Sequence, residues 1–380
     1  MLKDIRKIHE ERDMYPLNQT EPYPRNQWYV AAWRNEIGRT LFERRILDEP
    51  IVFYRTQNGD PVALAGLCPH RLYPLREGRL IGDRVECGYH GFTFDCSGAC
   101  VGIPSQTKVP TRFATRKYPL VDRWEWTWIW MGDTELADES QLPSIETIGL
   151  GAAGWRADVG VLTPLGTRFS LLLENLMDLS HVSFAHANSL PGSQSLAAIP
   201  ATISEDGAVL RVDRKLPTGP LEGFAAHLHP DLAGTVCADR IVSEYFGPAL
   251  VRTGGRYIQP VSGGSARAFN FIHGVTPETP TRTHYFNAIA RNFRLDDDGL
   301  SQGVLAQMKR VIDEDVIVLE TIEQYLDRHG STTRELSCQA DVGAIRVRRQ
   351  LGAQIADESA ATPRILPIMQ LKTHEGADQS

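Results

Sequence analysis

The chain has 380 residues, 42% apolar and 23% charged, with a formal charge of −7 and a mean hydropathy of −0.26. This suits one large or two ordinary globular domains with ample core, and the acidic balance without a basic run argues against nucleic-acid or anionic-membrane partners. No stretch nears the roughly 20 apolar residues of a membrane span, and "MLKDIRKIHEERDMYP" is too charged for a signal peptide, so a cytoplasmic location with reduced or metal-bound cysteines is expected.

Residues 1–25 form an N-terminal extension. From about 26 to 145 the chain reads as β structure. "QWYVAAW" (27–33), "RRILDEPIVFYR" (44–55) and "WEWTWIWMG" (124–132) are rich in aromatic and β-branched residues, and "NGD" (58–60) is a hairpin turn before "VALAGL" (62–67). The polar connector "DTELADESQLP" places a domain boundary near 145. Beyond it, "TRFSLLLENLMDLSHVSFAH" (167–186) reads as helical toward its middle, and "SARAFNFIHGVTPE" and "TRTHYFNAIARNF" as paired strands. Residues 303–330 give the strongest helix, closed by Gly330. Residues 356–380 show no sustained period and read as a tail.

Within "CPHRLYPLREGRLIGDRVECGYHG" (68–91), Cys68 and His70 are followed, after sixteen intervening residues, by Cys87 and His90. A structural zinc site uses similar spacings. Zinc fingers, however, usually pair Cys with Cys and His with His, whereas here each loop offers one thiolate and one imidazole. That suits a Rieske [2Fe–2S] cluster, with both thiolates on one iron and both imidazoles on the other. Cys96 and Cys100 lie outside the pattern and read as structural, Cys237 and Cys338 as core thiols. Colour separates the rivals, because a Rieske protein is reddish brown and a zinc module colourless.

A cluster of this kind moves single electrons and needs a second centre to activate O₂. "ENLMDLSHVSFAH" (174–186) supplies Asn175, Asp178, His181 and His186. Two histidines and a carboxylate on one face of Fe(II) leave positions open for O₂. Five residues separate the two histidines, about 140° on a regular helix, so either the helix bulges or His186 lies just past its end. On the 303–330 helix the neighbours of Asp315 are all apolar, whereas Asp313 and Glu314 fall on the wetter side. A lone buried carboxylate is costly unless paired or metal-bound. An arginine elsewhere could serve as well as a metal.

"CPHR" with "CGYHG", "NLMDLSHVSFAH", "EDVIVLE" and "LSCQADVGAIRVRR" (336–349) resemble the Rieske non-haem iron oxygenases of the vanillate O-demethylase and dicamba monooxygenase type, over most of the chain. The resemblance implies an α+β protein, with an all-β Rieske domain over 26–145. Over 146–355 it implies an α+β catalytic domain of antiparallel sheet and helices in a helix-grip-like arrangement. It implies one Rieske cluster on Cys68, His70, Cys87 and His90, and one mononuclear Fe(II) on His181, His186 and Asp315. It also implies a head-to-tail homotrimer in which Asp178, one helical turn before His181, bridges ligating histidines of two subunits, with Asn175 close to the iron.

No nucleotide-binding motif follows a strand, so electrons are expected from a separate reductase or ferredoxin. The expected reaction is O₂-dependent O- or N-dealkylation of a small aromatic compound, with ring hydroxylation or dihydroxylation as the alternative. His273 matches a substrate-contacting position and could equally be a satisfied strand histidine. Arg252 could anchor a carboxylate or be an exposed strand residue. Ala306 stands where related pockets carry a bulky aromatic, which permits a wider, uncharged substrate. An electron carrier that had lost catalysis would lack His181, His186 or Asp315, and all three are present.

Overall fold

In the computed structural model, residues 22–329 and 335–361 are described. The β-rich first half builds three small sheets. Strand Trp126–Trp130 lies between Trp28–Trp33 and Leu120–Arg123, and all five of its residues are buried. A centre strand covered on both faces needs a continuous apolar run, which "WTWIW" supplies. The stretch 44–55 is a hairpin, Phe42–Ile46 against Glu49–Arg55. Its turn residues Leu47 and Asp48 both have positive φ. Their backbone N–H groups donate to the Pro277 and Glu278 carbonyls, so contact with the second half holds a conformation that Leu rarely adopts. The third sheet, Arg79–Ile81, Arg84–Glu86, Thr93–Phe94 and Cys100–Gly102, carries the second Cys–His pair between its strands.

The second half is an eight-stranded antiparallel sheet. Its seven-strand path runs Arg156–Leu165, Arg282–Arg291, Arg267–Thr279, Leu250–Pro260, Val236–Tyr245, Val209–Lys215, Thr202–Asp206, and Gly219–Pro220 pairs with Val236–Tyr245. The expected strand pair is there, with Phe271 opposite Ile289 and His273 opposite Asn287.

Among the described residues the α-helices are α1 (Phe169–Met177), α2 (Val182–Ala185), α3 (Gly223–Leu228), α4 (Asp298–His329) and α5 (Val342–Ala361). Helix α4 begins five residues before the expected helix, and Gly330 lies outside the described residues. Most of the 1–25 extension and of the 356–380 tail lies outside them too. Residues 356–361, expected in the tail, instead continue α5, where Glu358 accepts from the backbone N–H groups of Arg25 and Asn26.

The change of texture near 145 is not a gap in packing. A single core cluster holds Trp28, Trp126 and Trp128 together with Phe169, Phe286 and Ile312. Trp33 stacks edge-on against Phe286 with ring centroids 5.5 Å apart. A smaller core around Val52, Leu75, Val85 and Phe94 includes Cys68 and Cys87. No described helix is long and apolar enough to cross a membrane.

Candidate functional site

The two Cys–His loops share one backbone design. Cys68 N–H donates to the Tyr73 carbonyl and Leu72 N–H returns to Cys68; Cys87 donates to Phe92 and Gly91 returns to Cys87. In each loop the fourth residue after the cysteine is left-handed, Leu72 at φ 55° and Gly91 at φ 72°. At Gly91 a Cβ would come within 2.8 Å of the Pro104 ring, so only glycine fits. The loops bring the His70 and His90 rings to a centroid distance of 4.7 Å. Both cysteines are buried, while His70 is half-buried and His90 exposed.

Burial and the nearby Cys87 thiol push the Cys68 thiol up to about 11. Two thiolates coexist here only with a cation between them. The Nδ1 atom of His70 is buried without a hydrogen-bond partner. Such an orphan beside a second imidazole and two buried thiols fits the donor set of a Rieske cluster. Cys96 and Cys100 are turned elsewhere, with sulfur atoms on the Asp83 and Gly102 carbonyls. Cys237 is buried as expected, but Cys338, expected as a core thiol, is exposed at the start of the turn before α5.

The second cluster is assembled from α1, a 3₁₀ turn, α2 and α4. Helix α1 ends at Met177, and a separate turn (Leu179–His181) leads into α2. His186 caps α2 at its C-terminal end. The five-residue spacing is therefore met by a broken helix with His186 just past its end, not by a bulge. His181, His186 and Asp315 form a group whose potential ligand atoms all lie within 4.8 Å of one another. Asp315 Oδ1 is 3.5 Å from His181 Nε2 and 3.3 Å from His186 Nε2. Two neutral imidazole nitrogens and a carboxylate converging on one point fit a divalent iron.

Burial holds the His181 imidazole below its ordinary pKa, against the pull of Asp315. Burial acts downward on His186 too, but Asp315 and Glu314 outweigh it and raise that ring's pKa.

The two rings are oriented by different partners. His181 Nδ1 meets the backbone carbonyl of Asp178 at 2.6 Å. His186 Nδ1 meets Glu314 Oε2 at 2.7 Å, and the same oxygen accepts from Ser189 Oγ. Helix phase alone had set Glu314 on the wet side. It is only half-buried, yet its carboxylate reaches His186 across the groove, a contact between residues 128 apart that no local pattern signals.

Asp178 is placed differently from the expectation. It does not stand one regular turn before His181, because it caps the end of α1 and the start of the 3₁₀ turn. Its carboxylate accepts from Ser180 N–H and Oγ–H and faces the buried Arg214 guanidinium at 3.3 Å. Within the subunit it is the main chain of Asp178, not the carboxylate, that orients the His181 ring. Asn175 donates through Nδ2 to Asp315 Oδ1 at 3.2 Å.

Helix α1 is tied at both ends. Buried Glu323 of α4 accepts from the backbone N–H and guanidinium of Arg168 and from Thr167 Oγ1. A carboxylate at a helix N-terminus satisfies free N–H groups and complements the helix dipole. Near the other end Arg348 of α5 pairs with Glu174 at 2.7 Å.

A cavity of about 140 Å³ opens beside the triad, lined by α1, α2, α3, α4 and the sheet. His273 lines it. Its Nε2 meets Thr253 Oγ1 at 2.7 Å and its Nδ1 meets Tyr285 Oη at 2.6 Å, so it is both pocket residue and satisfied strand histidine. Burial, only partly offset by Asp315, pushes its pKa down to about 3.

Arg252 does not reach this cavity. Strand residues alternate faces, and Thr253 takes the pocket side. Arg252 is buried in a pair with Glu244 and bonded to Asn270 and Tyr257, neither a carboxylate anchor nor an exposed strand residue. Ala306 is also misplaced. It is exposed on α4, whose pocket side is Met308, Val311, Ile312 and Asp315, so it says nothing about pocket width.

Residues 27–118 match the Rieske [2Fe-2S] domain family, and residues 165–357 match the vanillate O-demethylase oxygenase C-terminal domain. The iron-sulfur subunit of the toluene-4-sulfonate monooxygenase system of Comamonas testosteroni is 34% identical over 80% of this chain and 89% of its own. The oxygenase component of chloroacetanilide N-alkylformylase from Rhizorhabdus wittichii is 32% identical over 90% and 98%. A crystal structure of dicamba monooxygenase with non-haem iron and dicamba superposes with a TM-score of 0.74 at 29% identity, covering 89% of this chain and 99% of that one.

Proposed function

Because the chain belongs to the Rieske non-haem iron oxygenases, with a C-terminal half of the vanillate O-demethylase kind, we propose that it oxidatively dealkylates an aromatic ether or amine. It is the oxygenase component of a monooxygenase system, with one [2Fe–2S] Rieske cluster and one mononuclear iron, and draws electrons from a separate reductase or ferredoxin. When bound, the cluster supplies single electrons and the mononuclear iron activates O₂ beside the substrate. Cys68, Cys87, His70 and His90 would hold the first, and His181, His186 and Asp315 the second.

One observation carries the reading. The triad lines one part of a mostly apolar cavity, so a C–H bond can be held against the site in an apolar surrounding. One oxygen atom of O₂ enters the C–H bond next to the ether oxygen or amine nitrogen. The other leaves as water, with two electrons and two protons. The resulting hemiacetal or hemiaminal then splits into an aldehyde and a phenol or amine. The test supplies NADH, a reductase, O₂ and an aryl methyl ether; formaldehyde should appear in step with the phenol. A cis-diol or ring phenol without aldehyde would transfer the reading to ring oxidation.

The working unit is proposed to be a head-to-tail homotrimer. Leu72 (68% exposed) and Tyr89 flank the Rieske loops, while Phe184 (79% exposed) and Ile317 lie on α2 and α4 beside the triad. Exposed apolar side chains at both centres are what a contact joining one subunit's cluster to the next subunit's iron needs. Asp178, about one-fifth exposed, keeps one lone pair, on Oδ2, beyond those taken by Ser180 and Arg214, and it is open to a partner's imidazole.

A further inference from the structure

Resting on the reading of this cavity as the substrate pocket, we propose that its substrate is an uncharged, single-ring aromatic compound whose polar handle is a hydrogen-bond acceptor, such as an ether or amide carbonyl oxygen. The relatives do not decide this, since one is named for a sulfonate anion and another for an uncharged anilide.

Charge comes first. Among the described residues, no lysine or arginine lines the pocket. Arg252 and Arg214 lie near it in sequence and fold, but each is engaged by a carboxylate, Glu244 and Asp178. The iron site offers no surplus of positive charge either, because Asp315 and Glu314 together balance a divalent ion. His273 in the wall is neutral, since its burial keeps a proton off at physiological pH. An anion entering this space would surrender its hydration for an apolar wall without a counter-ion, which costs several kcal/mol.

The polar handle follows from counting protons along Thr253–His273–Tyr285. Two hydroxyls and one neutral imidazole own three hydrogens, and two hydrogen bonds join them. Either Tyr285 donates inward and the Thr253 hydroxyl is left over, or Thr253 donates inward and the Tyr285 hydroxyl is left over. Whichever tautomer holds, one O–H hydrogen remains to be given to a ligand. All three residues line the pocket, so the wall presents a donor and asks for an acceptor. Size sets the remainder: about 140 Å³ is the scale of an engineered apolar cavity that accepts benzene.

The matched probes are 4-methoxybenzamide and 4-methoxybenzoate, equal in shape and different in charge. Binding to the iron-loaded protein is measured by calorimetry, and products are assayed separately with the reductase. The amide should bind at least about tenfold more tightly than the benzoate. Either Thr253→Val or Tyr285→Phe should weaken amide binding several-fold while leaving 4-methylanisole, which has a weaker acceptor, less affected. Equal binding of the pair, preference for the benzoate, binding of neither, or indifference to both substitutions would overturn the inference. Product analysis keeps the two readings apart. Amide preference with ring-hydroxylated product retains the uncharged pocket and removes dealkylation. Formaldehyde released from a preferred benzoate does the reverse.

Discussion

The two centres are built in opposite ways. The four residues proposed to hold the Rieske cluster lie within twenty-four consecutive positions, on two loops that repeat the same pair of backbone hydrogen bonds. The triad joins His181 and His186 to a residue on α4, more than 120 positions away, and depends on helices clamped by Glu323–Arg168 and Glu174–Arg348. The first site is local and outermost, with His90 exposed; the second is tertiary and enclosed, with His186 only 1% exposed. A local site can sit at a surface where a partner reaches it. A site that activates O₂ has to be surrounded, and residues distant in sequence do the surrounding.

The sharpest test of that contrast is a pair of substitutions. His181→Ala should abolish turnover and leave the visible spectrum of the cluster intact. Cys87→Ser should bleach the visible spectrum while the triad still takes up iron, read by metal analysis. Loss of cluster absorption in His181→Ala would show that the centres are not structurally independent, as the shared core of the two halves would then demand.

Asp178→Asn tests communication between the centres rather than either alone. Both metals should remain, and single-turnover electron transfer should fall by at least about tenfold, on the scale expected for a partner bridging metal ligands. Loss of mononuclear iron would give Asp178 a structural role in placing His181 instead.

Glu314→Ala is expected to be milder. Removing the carboxylate behind a ligating imidazole costs about 10–100-fold in metal affinity. Glu314→Gln should recover much of that, because its amide oxygen still accepts from His186 Nδ1. Unchanged iron affinity in both variants would mean that Asp315 and the packing around His186 hold the ring unaided.

Much of the architecture was legible because it is carried by local signals. The Trp-rich strand, the Arg267–Thr279 and Arg282–Arg291 pair and α4 each announce themselves by periodicity or by an apolar run. Asp315 stood out for a similar reason, since helix phase surrounds it with apolar neighbours. Residues whose meaning depends on the other side of a groove or sheet carry no local signal of it. Glu314 lies on the wetter side that helix phase gives it, but its contact with His186 exists only once the end of α2 is placed against α4. Arg252 reads as a pocket cation until the strand's alternation turns it to Glu244. Ala306 reads as a pocket wall until α4 is rotated into position.

By itself the sequence determined the chemistry available: two thiols and two imidazoles in paired loops, and two histidines with one buried carboxylate. Ligand spacing within a loop and phase along a helix are properties of the chain alone. Tertiary structure decided the wiring: which carboxylate steadies His186, which partners hold Asp178, and that no lysine or arginine among the described residues lines the pocket. Those choices depend on how elements far apart in the chain face one another, and only packing sets that.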